Sequence, residues 1–413
     1  MPRHFQIGEN NATGQWITSQ THRDWLKIDA RRQFEFFAGS CRPDPGFYVL
    51  GYDGTPLADT LQELHTTTRL VHCFALGKIA GQPGCDAVID QGVNYLLSHH
   101  FDREFGGFVW GVDGDEVADP RKLAYGHVFV LLAGSSAYAA GHPDGEKLIQ
   151  LAEATIDQHF WEEEHGRLCD EWNRDWTPFS TYRGMNANMH GVEALLAAYE
   201  ATGREKFLTR AGQILNFFMG EIAPEHDWRL PEHYHANWAV DPSYSGDPMF
   251  RPAGTTPGHS FELARLLLQH WDLRGRADDQ ALSTARNVVQ TALQDAWHAD
   301  GGIIYTLGEG GAPSISARYW WPVTEAIGVL ATFLKCDPTP TDEDWYRKLW
   351  TFAGEHFVDP QHAGWFPEID HAGNPTDHQF KGKPDIYHAL QAELFPLCGG
   401  ISNAYKGLRG ILG

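Results

Sequence analysis

One spacing constrains this chain more than any other feature: a short turn-bearing segment recurs about every 60 residues along its 413-residue length. Its copies are Pro45-Gly46-Phe47-Tyr48, Phe105-Gly106-Gly107-Phe108, His165-Gly166-Arg167-Leu168, His226-Asp227-Trp228-Arg229, Gly301-Gly302-Ile303-Ile304 and Ala363-Gly364-Trp365-Phe366. Each reads as a small β-hairpin in which glycine or a polar residue supplies the turn and aromatic or β-branched neighbours supply short strands. Only the interval after Trp228 is longer. Between the copies, apolar residues fall at the i, i+3, i+4 period of a helix with one buried face. The pattern predicts helices over Trp25–Gly39, Leu57–Ala80, Asp86–His100, Lys122–Ala140, Glu146–Phe160, Asn188–Thr202, Lys206–Ile222, His259–Leu273, Asp278–Trp297, Pro322–Lys335, Asp342–His356 and Asp385–Cys398. Thr55-Pro56 would open the second of these as cap and first-turn proline. Two helices per hairpin predict an all-α closed array of helix pairs. No Ser/Gly tract or block of like charge interrupts it, so residues 1–413 are expected to form one domain.

The repeat turns the 22 histidines into a pattern. His65, His127, His190, His259 and His388 stand at the start of one helix of each pair, and the skipped slot holds Trp320-Trp321-Pro322 followed by Glu325. Equivalent positions in a closed repeat point toward one axis, so these side chains are expected to converge. Arg69 lies four residues after His65, and Glu193 and Glu262 lie three after His190 and His259, which puts each pair on a shared helix face. A carboxylate beside an imidazole fixes its tautomer and raises its basicity, as proton transfer near neutral pH requires. Arg69 would add a permanent positive charge where an oxyanion develops.

Composition narrows the partners. A net charge of −22 opposes binding to nucleic acid or to an anionic membrane. No stretch approaches the ~20 apolar residues of a membrane span, and Met1–Thr21 has no apolar core of a signal peptide. Six scattered cysteines without a C-x-x-C pair suit reduced thiols of a cytoplasmic protein. Fifteen tryptophans suit aromatic faces set against sugar rings, although large cores use them too. The segment 229–258, with Tyr234, Trp238, Tyr244 and Phe250, is expected to be a partial lid over the pocket.

No ring histidine has a second at i+4, and the order His-x-x-Glu reverses that of di-iron bundles, so neither a metal nor another cofactor is expected. The chain also lacks G-x-S-x-G, G-x-x-x-x-G-K-[ST] and G-x-G-x-x-G. Glu193, Glu262 and Glu325 leave a glycoside-processing enzyme open as a rival, since that chemistry needs two opposed carboxylates.

With these residues in view, the chain resembles the N-acylglucosamine 2-epimerase superfamily, and within it the branch of mannose and sulfoquinovose isomerases. The matching segments are Tyr182-Arg183-Gly184-Met185-Asn186-Ala187-Asn188-Met189-His190, Gly254-Thr255-Thr256-Pro257-Gly258-His259 with Glu262, Arg318-Tyr319-Trp320-Trp321-Pro322 with Glu325, and Gly382-Lys383-Pro384-Asp385-Ile386-Tyr387-His388. Arg69 sits where the family keeps its active-site arginine. The resemblance implies an (α/α)6 barrel of twelve helices and, as activity, aldose–ketose isomerisation through a cis-enediol, D-mannose to D-fructose, with D-lyxose as a further aldose. It implies His259 and His388 as the catalytic pair, the first acting on carbon and the second on oxygen, with Glu262 orienting His259. Arg69, His190, Asn186, Glu262, Trp321, Glu325 and Asp385 would bind the monosaccharide. The Lys383-Pro384-Asp385 segment favours mannose over a sulfonated sugar. A sugar 2-epimerase of the N-acylglucosamine or cellobiose type shares nearly all of these parts and remains the alternative.

Overall fold

The computed structural model describes residues 7–8, 14–58 and 61–413. Among the described residues, twelve helices of eleven or more residues alternate between two layers. The inner layer is α2 (Leu64–Ala80), α4 (Ala124–Ala139), α6 (Met185–Thr202), α8 (Pro257–Leu273), α10 (Trp320–Cys336) and α12 (Tyr387–Leu397). The outer layer is α1 (Gln20–Phe37), α3 (Cys85–Tyr95), α5 (Gly145–Thr155), α7 (Glu205–Leu215), α9 (Ala281–Ala296) and α11 (Pro340–His356). Each inner helix packs on the next, α12 returns to α2, and each outer helix covers an inner neighbour, which makes an (α/α)6 barrel. The inner helices are buried nearly all round, as their largely apolar composition requires, whereas the outer ones bury a single face. α3, α5 and α7 run on into wider π turns at Leu96–His100, Ile156–Phe160 and Asn216–Ile222. No helix among the described residues is long and apolar enough to cross a membrane.

A ring of short antiparallel pairings closes the end of the barrel where the inner helices begin. Leu61–Glu63 pairs with Gly111–Asp113, Lys122–Leu123 with Glu171–Trp172, and Arg183–Gly184 with His233–Tyr234. Thr255 bridges Leu307, Pro313–Tyr319 pairs with Glu368–Ile369, and Leu50 meets Lys383 to complete the circle. The same ring satisfies the helix starts. The N–H groups of Leu64, Ala124, Met185 and Trp320 donate to the carbonyls of Trp110, Asp170, Glu232 and Pro367 in the following repeat. Those helices therefore need no side-chain cap, and none has one.

Three expectations change here. The helix expected from Leu57 begins at Leu64, because residues 61–63 are taken by the strand ring and Thr55-Pro56 caps nothing. The segment at His226–Arg229 is not a hairpin: it follows a short helical turn at Ala223–Glu225, and Asp227 and Trp228 adopt φ of 52° and 65° in a tight turn. The other five copies close through pairings such as Cys41–Phe47, Phe101–Phe108 and Trp297–Ile303. Segment 229–258 divides: Glu232, His233, Tyr234 and Trp238 are buried in the wall, while most of residues 235–253, Phe250 among them, are exposed. Residues 1–6 and 9–13, part of the polar stretch expected to lack a signal sequence, lie outside the described residues.

Candidate active site

The first two turns of the inner helices bring Arg69, Tyr125, Asn186, His190, His259, Glu262, Trp321, Glu325 and His388 to the ringed end of the barrel. At its centre Trp321 lies between two imidazoles, 5.2 Å from the His259 ring and 5.7 Å from the His388 ring, centroid to centroid. Gly258 permits this approach: a Cβ there would come within 2.1 Å of the indole. Each imidazole is held through Nδ1 by a carboxylate. His388 Nδ1 lies 2.8 Å from Glu325 Oε1, and His259 Nδ1 lies 3.0 and 3.1 Å from the two oxygens of Glu232. That leaves each Nε2 without a hydrogen-bond partner among the described residues.

Arg69, on α2, lies near enough to His388 that, after burial, its charge lowers that imidazole's pKa further. Its Nη1 donates to Asp385 at 2.7 Å and its Nη2 to the Tyr125 hydroxyl at 2.9 Å, while the rings of Phe129 and Tyr387 each lie 4.8 Å from the guanidinium carbon. Burial works against the charge, but Tyr125 and Asp385 outweigh it and raise the Arg69 pKa. Below lies a buried charged floor. Glu193 accepts from the Tyr387 hydroxyl and from Gln391 Nε2, and its Oε2 lies 3.4 Å from His190 Nδ1. Glu262 Oε1 lies 3.5 Å from the same nitrogen, and Arg265 reaches Glu262 at 3.9 Å and Glu325 at 3.7 Å.

Desolvation orders the protonation states. Burial pulls His190 down to about 4 and His388 to about 3, so both rings are neutral at pH 7. Burial together with the negative charges of Glu325 and Glu193 pushes Glu262 well above the ordinary carboxylate range. Glu325 is raised to about 7, by burial first, with Arg265 opposing. Glu193 goes the other way: the hydrogen bond with His190 and the nearby Arg265 hold it low despite burial. Five carboxylates and two guanidiniums thus share one interior, and it tolerates them because some carboxyls keep their protons.

Four of the five ring histidines gather here, and His127 does not. Its Nδ1 meets the Leu123 carbonyl and its Nε2 accepts the Phe108 N–H, so it is a fully satisfied core residue that fixes a hairpin. His65 stacks on Trp110 at 5.0 Å beside Tyr125 at the edge of the group. Asn186 is half-buried, and its Oδ1 has no hydrogen-bond partner. Asp385 is committed to Arg69 and to the Tyr387 N–H. The expected Glu262–His259 pair is not formed. Glu262 turns toward His190 on the neighbouring helix, and the carboxylate at His259 is Glu232 from segment 229–258. Sharing a helix face permits contact at i,i+3 but does not compel it. Tyr125, Tyr387, Arg265 and Glu232 were not singled out from the sequence. Tyr387 adjoins His388, Arg265 lies three residues after Glu262 and Tyr125 two before the ring histidine His127, whereas Glu232 lies on no helix and carries no spacing signal. Among the described residues one group could hold a metal ion: one ligand atom each from His190, Glu193 and Glu262 lies within 4.8 Å of the others.

The profile of the family described as N-acylglucosamine 2-epimerase (GlcNAc 2-epimerase) matches residues 46–392. A D-mannose isomerase of Thermobifida fusca is 40% identical over 92% of this chain and 96% of its own length. A D-mannose isomerase of Pseudomonas cannabina pv. alisalensis is 35% identical over 97% and 99%. A crystal structure of a D-mannose isomerase superposes with a TM-score of 0.84 at 29% identity, covering 92% of this chain and 98% of that one. By sequence, by fold and by these relatives, the chain belongs to the N-acylglucosamine 2-epimerase family.

Proposed function

We propose that this protein is an aldose–ketose isomerase that interconverts D-mannose and D-fructose through a cis-enediol, acting also on D-lyxose. The observation that carries the reading is the pair of imidazoles, His259 and His388, flanking Trp321, with Arg69 near His388. A C–H beside a carbonyl is too weak an acid for imidazole unless the enediolate charge is met electrostatically. Arg69 supplies that charge and, with the neutral His190, holds O1 and O2. The Nε2 of His259 takes the proton from C2 and returns it to C1. The His388–Glu325 pair opens the pyranose and relays protons at oxygen. With Glu325 near 7, this pair presents Nε2–H when Glu325 is protonated and an Nε2 lone pair when it is ionised. Trp321 gives the sugar an apolar face, and Asn186 Oδ1 accepts from a hydroxyl.

The surplus of buried carboxylate around Arg69 and Arg265, each already facing carboxylates, favours a neutral sugar over a phosphate or sulfonate. Arg69 is the electrophile in this reading, and no metal takes part. One core running from Trp16 to Leu412 supports residues 1–413 acting as one catalytic unit, and six free cysteines support a cytoplasmic setting. A 2-epimerase would use the same imidazoles to return the proton to the opposite face of C2. The test is incubation with D-mannose, with and without EDTA, and with mannose 6-phosphate. The expected result is D-fructose at equal rates with and without chelator and no turnover of the phosphorylated sugar. A second aldose without ketose, or loss of activity in EDTA, would overturn the reading.

A further inference from the structure

We propose that Glu232 is the positioning residue of the carbon-acting imidazole, holding His259 in the tautomer and orientation that isomerisation requires. It rests on the proposed role of His259. Glu232 is 4% exposed and immediately precedes the strand His233–Tyr234 that pairs with Arg183–Gly184, ahead of the loop at residues 241–253. Both its oxygens lie at hydrogen-bond distance from His259 Nδ1, and Oε1 also accepts the Thr256 N–H at 3.3 Å.

These contacts do two things at once. An ionised carboxylate only accepts, so a two-oxygen contact at Nδ1 requires Nδ1–H and leaves the Nε2 lone pair for the pocket. The bond to Thr256 meets the first residue before α8, whose own side chain makes no capping bond. Glu232 therefore ties the helix start and the imidazole to a single carboxylate, and the positive end of the helix favours its charge. Rotation of the ring is further limited by Trp321 on one side, which Gly258 admits.

Glu232 is itself braced. The adjoining His233 joins the Tyr182 hydroxyl through Nδ1 at 2.8 Å and the Pro252 carbonyl through Nε2 at 2.7 Å. Arg251 binds Glu171 at 2.9 and 3.1 Å and stacks 4.1 Å from the Tyr182 ring. The longest interval of the repeat thus delivers a carboxylate to the catalytic histidine whose Nδ1 receives none from an inner helix. His388 differs, since its carboxylate comes from the neighbouring inner helix α10.

The experiment combines 15N NMR of histidine-labelled protein with steady-state kinetics, His259 being assigned by difference from His259→Asn. In the wild type, His259 should be the Nδ1–H tautomer; an Nε2–H tautomer overturns the proposal whatever the variants do. Glu232→Gln retains the shape and an acceptor oxygen but removes the charge. Its kcat on mannose should fall at least about tenfold with KM held within about threefold, because only proton transfer is impaired. Glu232→Ala should shift the His259 tautomer as well. Wild-type kcat in folded Glu232→Gln, or a loss confined to KM, contradicts the proposal. If wild type shows the Nδ1–H tautomer yet leaves mannose unchanged, the functional reading fails and the positioning geometry stands.

Discussion

Glu262 and Glu325 begin only 63 residues apart in equivalent repeats, yet their environments give them different work. Glu325 has an imidazole at 2.8 Å, whereas neither oxygen of Glu262 has a hydrogen-bond partner. Burial therefore keeps Glu262 protonated, and the linkage has a definite sign. A carboxyl whose folded pKa is raised stabilises the protein below its unfolded pKa and loses that contribution as pH climbs toward the folded value. Glu262→Gln removes the titration, so its stability relative to wild type should rise between pH 5 and 8, by up to about 1.4 kcal/mol per pH unit. Urea melts at several pH values measure this, and a pH-independent difference would refute it. Gly258→Ala tests packing at the same scale. The added methyl would meet the Trp321 ring at 2.1 Å, so the indole must move. A stability loss of about 1–3 kcal/mol is expected, with a fall in kcat of about tenfold or more as the imidazoles lose their spacer. The histidines of this site were legible in the sequence because they recur in register. Their carboxylates were less so: Glu325 was named, Glu262 was given the wrong partner, and Glu232 was missed, since contacts between helices leave no mark in local spacing.

Among elements, helix periodicity was legible and helix starts were not. Side-chain caps are readable in sequence, but four of the inner helices donate their first N–H to the backbone of the next repeat, which has no sequence signature. A second device recurs just ahead of these helices. Gln62 pairs with both backbone groups of Phe47, Lys122 Nζ reaches Asp102 and the Gly106 carbonyl, and Arg183 clasps Glu162. Arg318 binds the Gly301 carbonyl, and Lys383 reaches Asp359 and the Ala363 carbonyl. Each clamps the hairpin that follows an outer helix to the start of an inner one, and so braces the ringed end of the barrel where the site lies. The clamps differ in redundancy. Asp102 keeps Arg174 at 2.8 Å as a second cation, but Lys383 is the sole cation within ion-pair distance of Asp359 among the described residues. Lys383→Met should therefore cost about 3–5 kcal/mol by stranding a buried carboxylate, and Lys122→Met clearly less. Equal losses in chemical denaturation would argue against the clamp.

At the scale of the whole molecule, closure is what turns a repeat into a site. Six helix pairs place six equivalent positions around one axis, and the strand ring fixes their register. The closed array was evident from the 60-residue period and the count of helices. The one interval that breaks the period is expected to be a partial lid, yet its first part forms wall and supplies Glu232, because aromatic, proline and glycine content reports irregular backbone without reporting where it packs. The central claim is that this enclosure moves one proton between adjacent carbons of a neutral sugar. It is tested most directly by following D-mannose by NMR in D2O. The account predicts that D-fructose appears, with deuterium confined to C1 and present there only to the extent that the proton held on His259 exchanges with solvent before delivery. Deuterium at C2 of a second aldose, with no ketose formed, would contradict it.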